Sequence, residues 1–194
     1  MRTVTALRAE RRGRVAVELD GAPWRTLPLE PVVRAGLAVG SPLDRARARA
    51  LARELRRARA LATATRALRR RDHARAELDG KLAARGIAPA GRAEALAALE
   101  RARLLEDGRF AAGRAEALAA RGYGDAAIRA DLEARGVDAE AIGDALAGLA
   151  PEPERAEAAA GGRTGAAAAR YLSRRGFGED ALEALVGASG EEWA

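Results

Sequence analysis

The chain has no cysteine, no asparagine, no glutamine and a single histidine. Without cysteine, neither a disulfide nor a thiolate metal site can form. Without Asn and Gln, the side chains that read adenine in the DNA major groove are missing. His73 alone cannot build a His-rich metal site. Following Asp72 in an arginine-rich stretch, it is expected to be an exposed helix residue. Aromatics make up only 3% of the 194 residues, so Leu, Val and Ile must carry burial, at about 25 cal/mol per Å². No segment approaches the roughly 20 apolar residues of a membrane span, and the first residues lack a signal-peptide pattern. The expectation is a cytoplasmic protein with no membrane partner.

Catalytic patterns are also missing. Ser41, Ser173 and Ser189 are the only serines, and none sits in a nucleophile elbow. Gly80-Lys81-Leu82 lacks the rest of a P-loop. The Gly122–Ala127 stretch mimics part of a dinucleotide fingerprint but follows a helical pattern instead of a strand. Acidic residues fall where helices start, so capping explains them. These absences predict no enzymatic activity, no cofactor and no metal.

What is abundant is alanine, arginine and glycine. Residues 1–80 carry 19 Arg against 9 Asp and Glu, a balance of +10; the remainder carries 15 Lys and Arg against 19 acids, a balance of −4. Arg45–Arg75 holds 12 Arg opposed only by Glu54 and Asp72. A block this basic suits a solvated helix face and also a polyanionic partner.

Arg14–Leu19 alternates with period two and is followed by Asp20-Gly21, the dipeptide of a tight hairpin turn. Pro23–Leu29 reads as the return strand, placed on an edge by Pro23 and Pro28. Thr3–Ala9 supplies a third strand, Leu29–Leu37 a short helix, and Trp24 a cover for the hairpin. From Leu43 the period becomes 3.6. A long basic helix, continuous or interrupted, is expected over about Asp44–Arg71, capped by Asp44, with Leu51, Leu55, Ala58 and Ala62 on one face, then Leu61, Ala64 and Leu68.

One phrase then recurs three times: helix, glycine stop, apolar residue, second helix. It stands at Leu82–Leu96, Leu132–Leu146 and Leu172–Val186, with aligned Gly86, Gly136 and Gly176. Each glycine suits a left-handed C′ position, and Ile87, Val137 and Phe177 suit packing back onto the helix end. Asp72 is the expected cap of the first copy. With a helix ahead of each pair, the expected fold is mainly α: three tandem three-helix units forming an elongated body, with a small N-terminal β-hairpin region. The expected division is 1–42 for the hairpin region with its short helix, 43–61 for a basic linking helix, 62–105, 106–150 and 151–188 for the repeats, and 189–194 for a tail. The first helix of the third repeat lacks large apolar residues and is expected to be the loosest. Sequence-specific DNA reading is disfavoured, because the second helices are acidic (Asp138, Glu140 and Asp144; Glu179, Asp180 and Glu183).

Three blocks carry a resemblance: "RRRDHARAELDGKLAARGI", "LLEDGRFA" and "RGYGDAAIRADLEARGVDAEAI". In this combination and order the chain resembles the RecX family over about residues 60–187. Ala74 stands where that family usually has Ser or Thr. The resemblance implies a non-enzymatic modulator that binds the filament of the RecA recombinase on DNA and suppresses ATP hydrolysis, strand exchange and coprotease activity. The expected contacts form two strips. The first is Arg66, Arg69, Arg70, Arg71, Arg75, Lys81 and Arg85. The second is Arg121, Arg129, Arg135, Arg174 and Arg175, with Tyr123 either a packed turn aromatic or an exposed contact. Phe110 and Phe177 are expected in the core. Nonspecific DNA contact stays open, and the lack of a heptad seam favours a monomer. The alternatives are a helical-repeat adaptor for another protein, or a nonspecific nucleic-acid binder acting through the arginine block.

Overall fold

A computed structural model describes residues 1–188; the 189–194 tail, with Ser189 and Trp193, lies outside the described residues. Two compact units result: Met1–Arg66 with Lys81–Leu99, and Ala67–Gly80 with Glu100 onward.

The first unit opens with a sheet. Strands β1 (Arg2–Glu10), β2 (Arg14–Leu19) and β3 (Ala22–Pro28) form an antiparallel meander, and Leu19 pairs with Ala22 across the Asp20-Gly21 turn. Both turn residues have positive φ, 51° and 80°, as a two-residue turn matched to strand twist requires. A fourth strand, β4 (Pro42–Leu43), pairs with Arg2 and Thr3 and gives the order β3-β2-β1-β4. Leu43 therefore ends the sheet and does not begin the helical pattern. Two residues are too short to show a period. Val4, Val15, Val17, Leu19 and Leu27 form one apolar face. It is covered by Val32 of α1 (Leu29–Arg34) and Leu51 of α2 (Arg45–Leu68), with Trp24 packed at its margin.

Helix α2 is continuous, and the Asp44 carboxylate caps it by accepting from the Arg47 N–H at 2.8 Å. Ala60 and Ala64 are its buried alanines, whereas Ala62 is exposed. Ala64 is buried as expected, and Ala60 takes the place expected for Ala62. Helices α3 (Arg75–Ala83) and α4 (Pro89–Arg101) complete the first copy of the repeated phrase, with Leu78, Leu82, Leu96 and Leu99 buried.

In the second unit, α5 (Asp107–Ala119), α6 (Asp125–Glu133) and α7 (Ala139–Ala147) enclose Phe110, Leu118, Ile128, Leu132, Val137 and Ile142. Ala74 joins this core and is fully buried. Helices α8 (Glu152–Ala160), α9 (Gly165–Ser173) and α10 (Glu179–Ala188) pack around Ala156, Ala160, Leu172 and Phe177. Helix α8 contributes two buried alanines where larger side chains would normally pack. Each copy of the phrase closes alike. Gly86, Gly136 and Gly176 take φ near +75°, and the next residue's N–H returns to Leu82, Leu132 or Leu172 at 3.2 Å. These are Schellman ends, in which two otherwise orphaned carbonyls are satisfied.

The glycines have a second task. A Cβ on Gly136 would lie 2.5 Å from Ala76 Cβ, and one on Gly176 would lie 2.5 Å from the Ala127 backbone nitrogen. The turn of one repeat therefore sits directly on the start of a helix in the repeat before it. Neighbouring repeats also cap each other. The Asp107 carboxylate, from the first residue of α5, accepts from the Arg75 N–H at 2.7 Å. The Glu152 carboxylate, from the first residue of α8, accepts from Asp125 N–H at 2.6 Å and Gly178 N–H at 3.2 Å. Asp72 is not the cap of α3. It precedes the helix by three residues and contacts Arg109 at 3.9 Å.

Candidate functional site

The arginines divide into those committed inside the fold and those left at the surface. In the expected first strip, Arg71 forms an ion pair with Glu77 and also donates to the Asp72 carbonyl at 2.9 Å. Arg75 donates to Glu100 at 2.6 Å. Arg66 lies in the last turn of α2, with Arg69 and Arg70 just after it. These three and Arg85 are exposed, with no side-chain partner among the described residues. Lys81 is also exposed.

The same division runs through the second strip. Arg135 donates to Asp131 at 2.8 Å and lies 3.8 Å from Glu77. Arg114, which the sequence reading did not single out, grips Asp131 bidentately at 2.9 and 2.7 Å. The Arg114 hydrogen bond outweighs partial burial and, with Arg135, holds the Asp131 carboxyl well below the usual range. Burial pushes Glu77 upward. The hydrogen bonds and charge of Arg71, with His73 close by, more than offset this and hold Glu77 down to about 2.

His73 is only 3% exposed, so it is not the surface residue that its neighbours suggested. Its Nδ1 lies 3.1 Å from Glu77 Oε2, too poorly aligned to count as a well-formed hydrogen bond. Glu77 lies next to Arg135 of the following repeat, so His73 belongs to a structural network.

Tyr123 is half-buried at the edge of the second repeat's core, between two guanidinium groups. Arg121 and Arg175 stand 5.6 and 5.2 Å from its ring centre. Arg175 also lies 5.0 Å from the Tyr171 ring, with Arg163 at 4.2 Å. Its Nη1 donates to the Arg121 carbonyl at 2.6 Å. An alternating Arg–Tyr stack thus joins the second and third repeats, each contact of the kind worth about 0.5–2 kcal/mol. A cleft of about 420 Å³ opens beside it, lined by Arg121, Arg155, Arg175 and Tyr171 over alanines. Arg155 is held by Asp125 and the Ala150 carbonyl. Arg129 and Arg174 are exposed, with no side-chain partner among the described residues.

Sequence reasoning missed Arg114, Asp131, Arg155, Arg163 and Tyr171. They meet partners on other helices and carry no local motif. Among the described residues, no group of three or more His, Asp or Glu could hold a metal ion, and no helix is long and apolar enough to cross a membrane.

These features define a mainly α protein of tandem three-helix repeats, locked together by cross-repeat caps and ion pairs, with arginines left free on more than one repeat. The family model described as the second three-helix domain of RecX matches residues 107–146. A regulatory protein RecX from Halorhodospira halophila is 37% identical over 142 residues, covering 66% of this chain and 87% of that relative. The chain belongs to the RecX family. The RecX of Chromohalobacter salexigens is 47% identical over 92 residues, covering 47% of this chain. That of Xanthomonas axonopodis pv. citri is 40% identical over 110 residues, covering 57%. The chain spans 60% of the length of each of these two relatives. A crystal structure of regulatory protein RecX shares the fold, with a TM-score of 0.83 at 21% identity, covering 97% of this chain and 100% of that one. RecX from Lactobacillus salivarius matches 69% of this chain and 96% of its own, with a TM-score of 0.62 at 18% identity.

Proposed function

We propose that this chain is a non-enzymatic, cytoplasmic regulator that binds the RecA recombinase filament side-on as a monomer and suppresses its ATP hydrolysis, strand exchange and coprotease activity. The supporting observation is a run of mutually capped repeats that carries unpaired arginines at Arg66, Arg69, Arg70, Arg129 and Arg174, in a chain whose relatives are named regulatory proteins. Several weak contacts presented on successive repeats add through effective concentration. Arginine's planar fork pairs with both carboxylate and phosphate, so the same side chains can grip acidic recombinase surface or DNA backbone.

Among the candidate residues, the unpaired cations and Arg121, whose stacked guanidinium is exposed, are the contact set. Arg71, Arg75, Arg135 and Arg175, with Tyr123, are positioning residues that keep the repeats in register. Lys81 and Arg85 belong to the contact set through their exposure.

The test adds the purified chain to RecA assembled on single-stranded DNA and follows ATP hydrolysis and DNA occupancy. Inhibition well below a 1:1 ratio to recombinase supports the reading. DNA binding without any effect on assembled filaments replaces it with nonspecific nucleic-acid binding. No interaction with either leaves a protein-binding adaptor.

A further inference from the structure

Between α2 and the turn that joins α3 to α4, the first unit contains a partly open groove of about 400 Å³ that the regulatory reading does not use. We propose that this groove docks an acidic peptide segment of a partner protein, which inserts one aliphatic or aromatic side chain. The volume suits a single large side chain with its flanking backbone.

The inner wall is apolar: Ile87, packed back onto its helix end, with Ala88 and Ala90 beside it. The outer wall is made by Arg53, Arg56, Arg57 and Arg59 of α2. Long arginine stems cover apolar surface while their charged heads stay at the rim. Against these four cations the lining holds one carboxylate, Glu94.

The rim is electrostatically incomplete. Arg53 and Arg57 share Glu54, at 3.7 and 3.6 Å, and Glu54 also accepts from Arg34 at 3.0 Å. Arg56 and Arg59 have no ion-pair partner among the described residues. Carboxylates flanking an inserted side chain would meet these forks. A nucleic acid fits less well. No aromatic side chain lines the groove to stack a base, and phosphate binding gains nothing from an apolar floor.

Gly91 keeps the groove open. A Cβ there would lie 3.6 Å from Ile87 Cγ2, an ordinary contact, so a larger side chain can extend along Ile87 without displacing the backbone. Replacing a helical glycine also favours α4. Gly91→Leu should therefore plug the groove and leave the fold intact. Arg56→Glu with Arg59→Glu tests the rim separately.

The experiment uses the full chain labelled with ¹⁵N, titrated with the peptide acetyl-Glu-Glu-Leu-Phe-Glu-Glu-amide and with its analogue carrying serine in place of glutamate. Saturable 1:1 shifts at the Gly86, Ile87 and Gly91 amides are expected, weaker with the serine analogue. Gly91→Leu, with its melting temperature unchanged or raised, should weaken binding by about tenfold or more, and so should the Arg56/Arg59 reversal. Shifts scattered over arginines outside the groove, insensitive to Gly91→Leu, would overturn the proposal. So would an unresponsive groove, or one that responds to oligo(dT) and not to the peptide. Recombinase binding does not enter this test, so its outcome is independent of the regulatory reading.

Discussion

Replacing Gly136 with alanine tests whether the repeats are held by close backbone approach. Gly136 has φ +74°, and the new methyl would sit 2.5 Å from Ala76 Cβ. Carbon atoms pack at about 3.5–4.0 Å, so roughly 1 Å must be opened. Left-handed backbone costs an alanine about 1–2 kcal/mol. Overpacking adds about 1–3 kcal/mol. The expected loss is therefore about 2–5 kcal/mol. Gly86→Ala supplies the strain alone, because at φ +70° nothing lies within 4 Å of its would-be Cβ; it should cost about 1–2 kcal/mol. The decisive variant is Ala76→Gly. Ala76 is exposed in the first turn of α3, so removing its methyl costs about 1 kcal/mol or less. Combined with Gly136→Ala, it should recover the overpacking share, giving a favourable coupling of about 1–3 kcal/mol. Urea unfolding followed by circular dichroism on the wild type, both single variants and the double variant measures this coupling. Strict additivity of the two losses would refute the idea that the glycine is required by its neighbour.

Other predictions concern the network and the surface. Glu77 is held near pH 2 in the folded chain, below its ordinary 4.5. Its depressed value stabilises the fold above about pH 4.5, and that stabilisation is lost as pH falls towards 2. Glu77→Gln should flatten acid unfolding in that window and cost about 1–2 kcal/mol at pH 7, discounted for solvent screening. Glu152→Ala removes the acceptor shared by Asp125 N–H and Gly178 N–H; a loss of about 1–2 kcal/mol should appear as faster amide exchange at the starts of α6 and α10. Reversing Arg66, Arg69 and Arg70 to glutamate should weaken filament binding and reduce its salt dependence, while the melting temperature holds because these side chains have no partners among the described residues. Affinity unchanged from that of the wild type at both low and high salt would remove them from the contact set. Arg71 is left out of that variant because its pairing with Glu77 would confound binding with stability.

Local chemistry was legible wherever its cause lies within a few residues. The period of Arg14–Leu19, the Asp20-Gly21 turn, the Asp44 cap and the glycine-ended helices all appear in the structure as the residues predicted. Each depends on φ preferences or on hydrogen bonds three to six residues apart. The repeated phrase was legible for the same reason, since three copies of one local pattern are visible as a pattern.

Which arginines are free was not legible. Arg70 and Arg71 are adjacent and chemically identical, yet one is unpaired and the other is bound to Glu77. His73 looked exposed because its sequence neighbours are arginines, but it is buried beside Glu77 and near the core that includes Ala74. Asp107 caps a helix that begins 32 residues earlier, and Arg175 reaches the carbonyl of Arg121 across 54 residues. By itself, then, the sequence determined the helices, their glycine stops and the three-stranded meander, but not the fourth strand, because backbone preference and periodicity act locally. The tertiary structure alone decided how repeats lock and which cations remain for a partner, because those outcomes depend on distant side chains meeting in space.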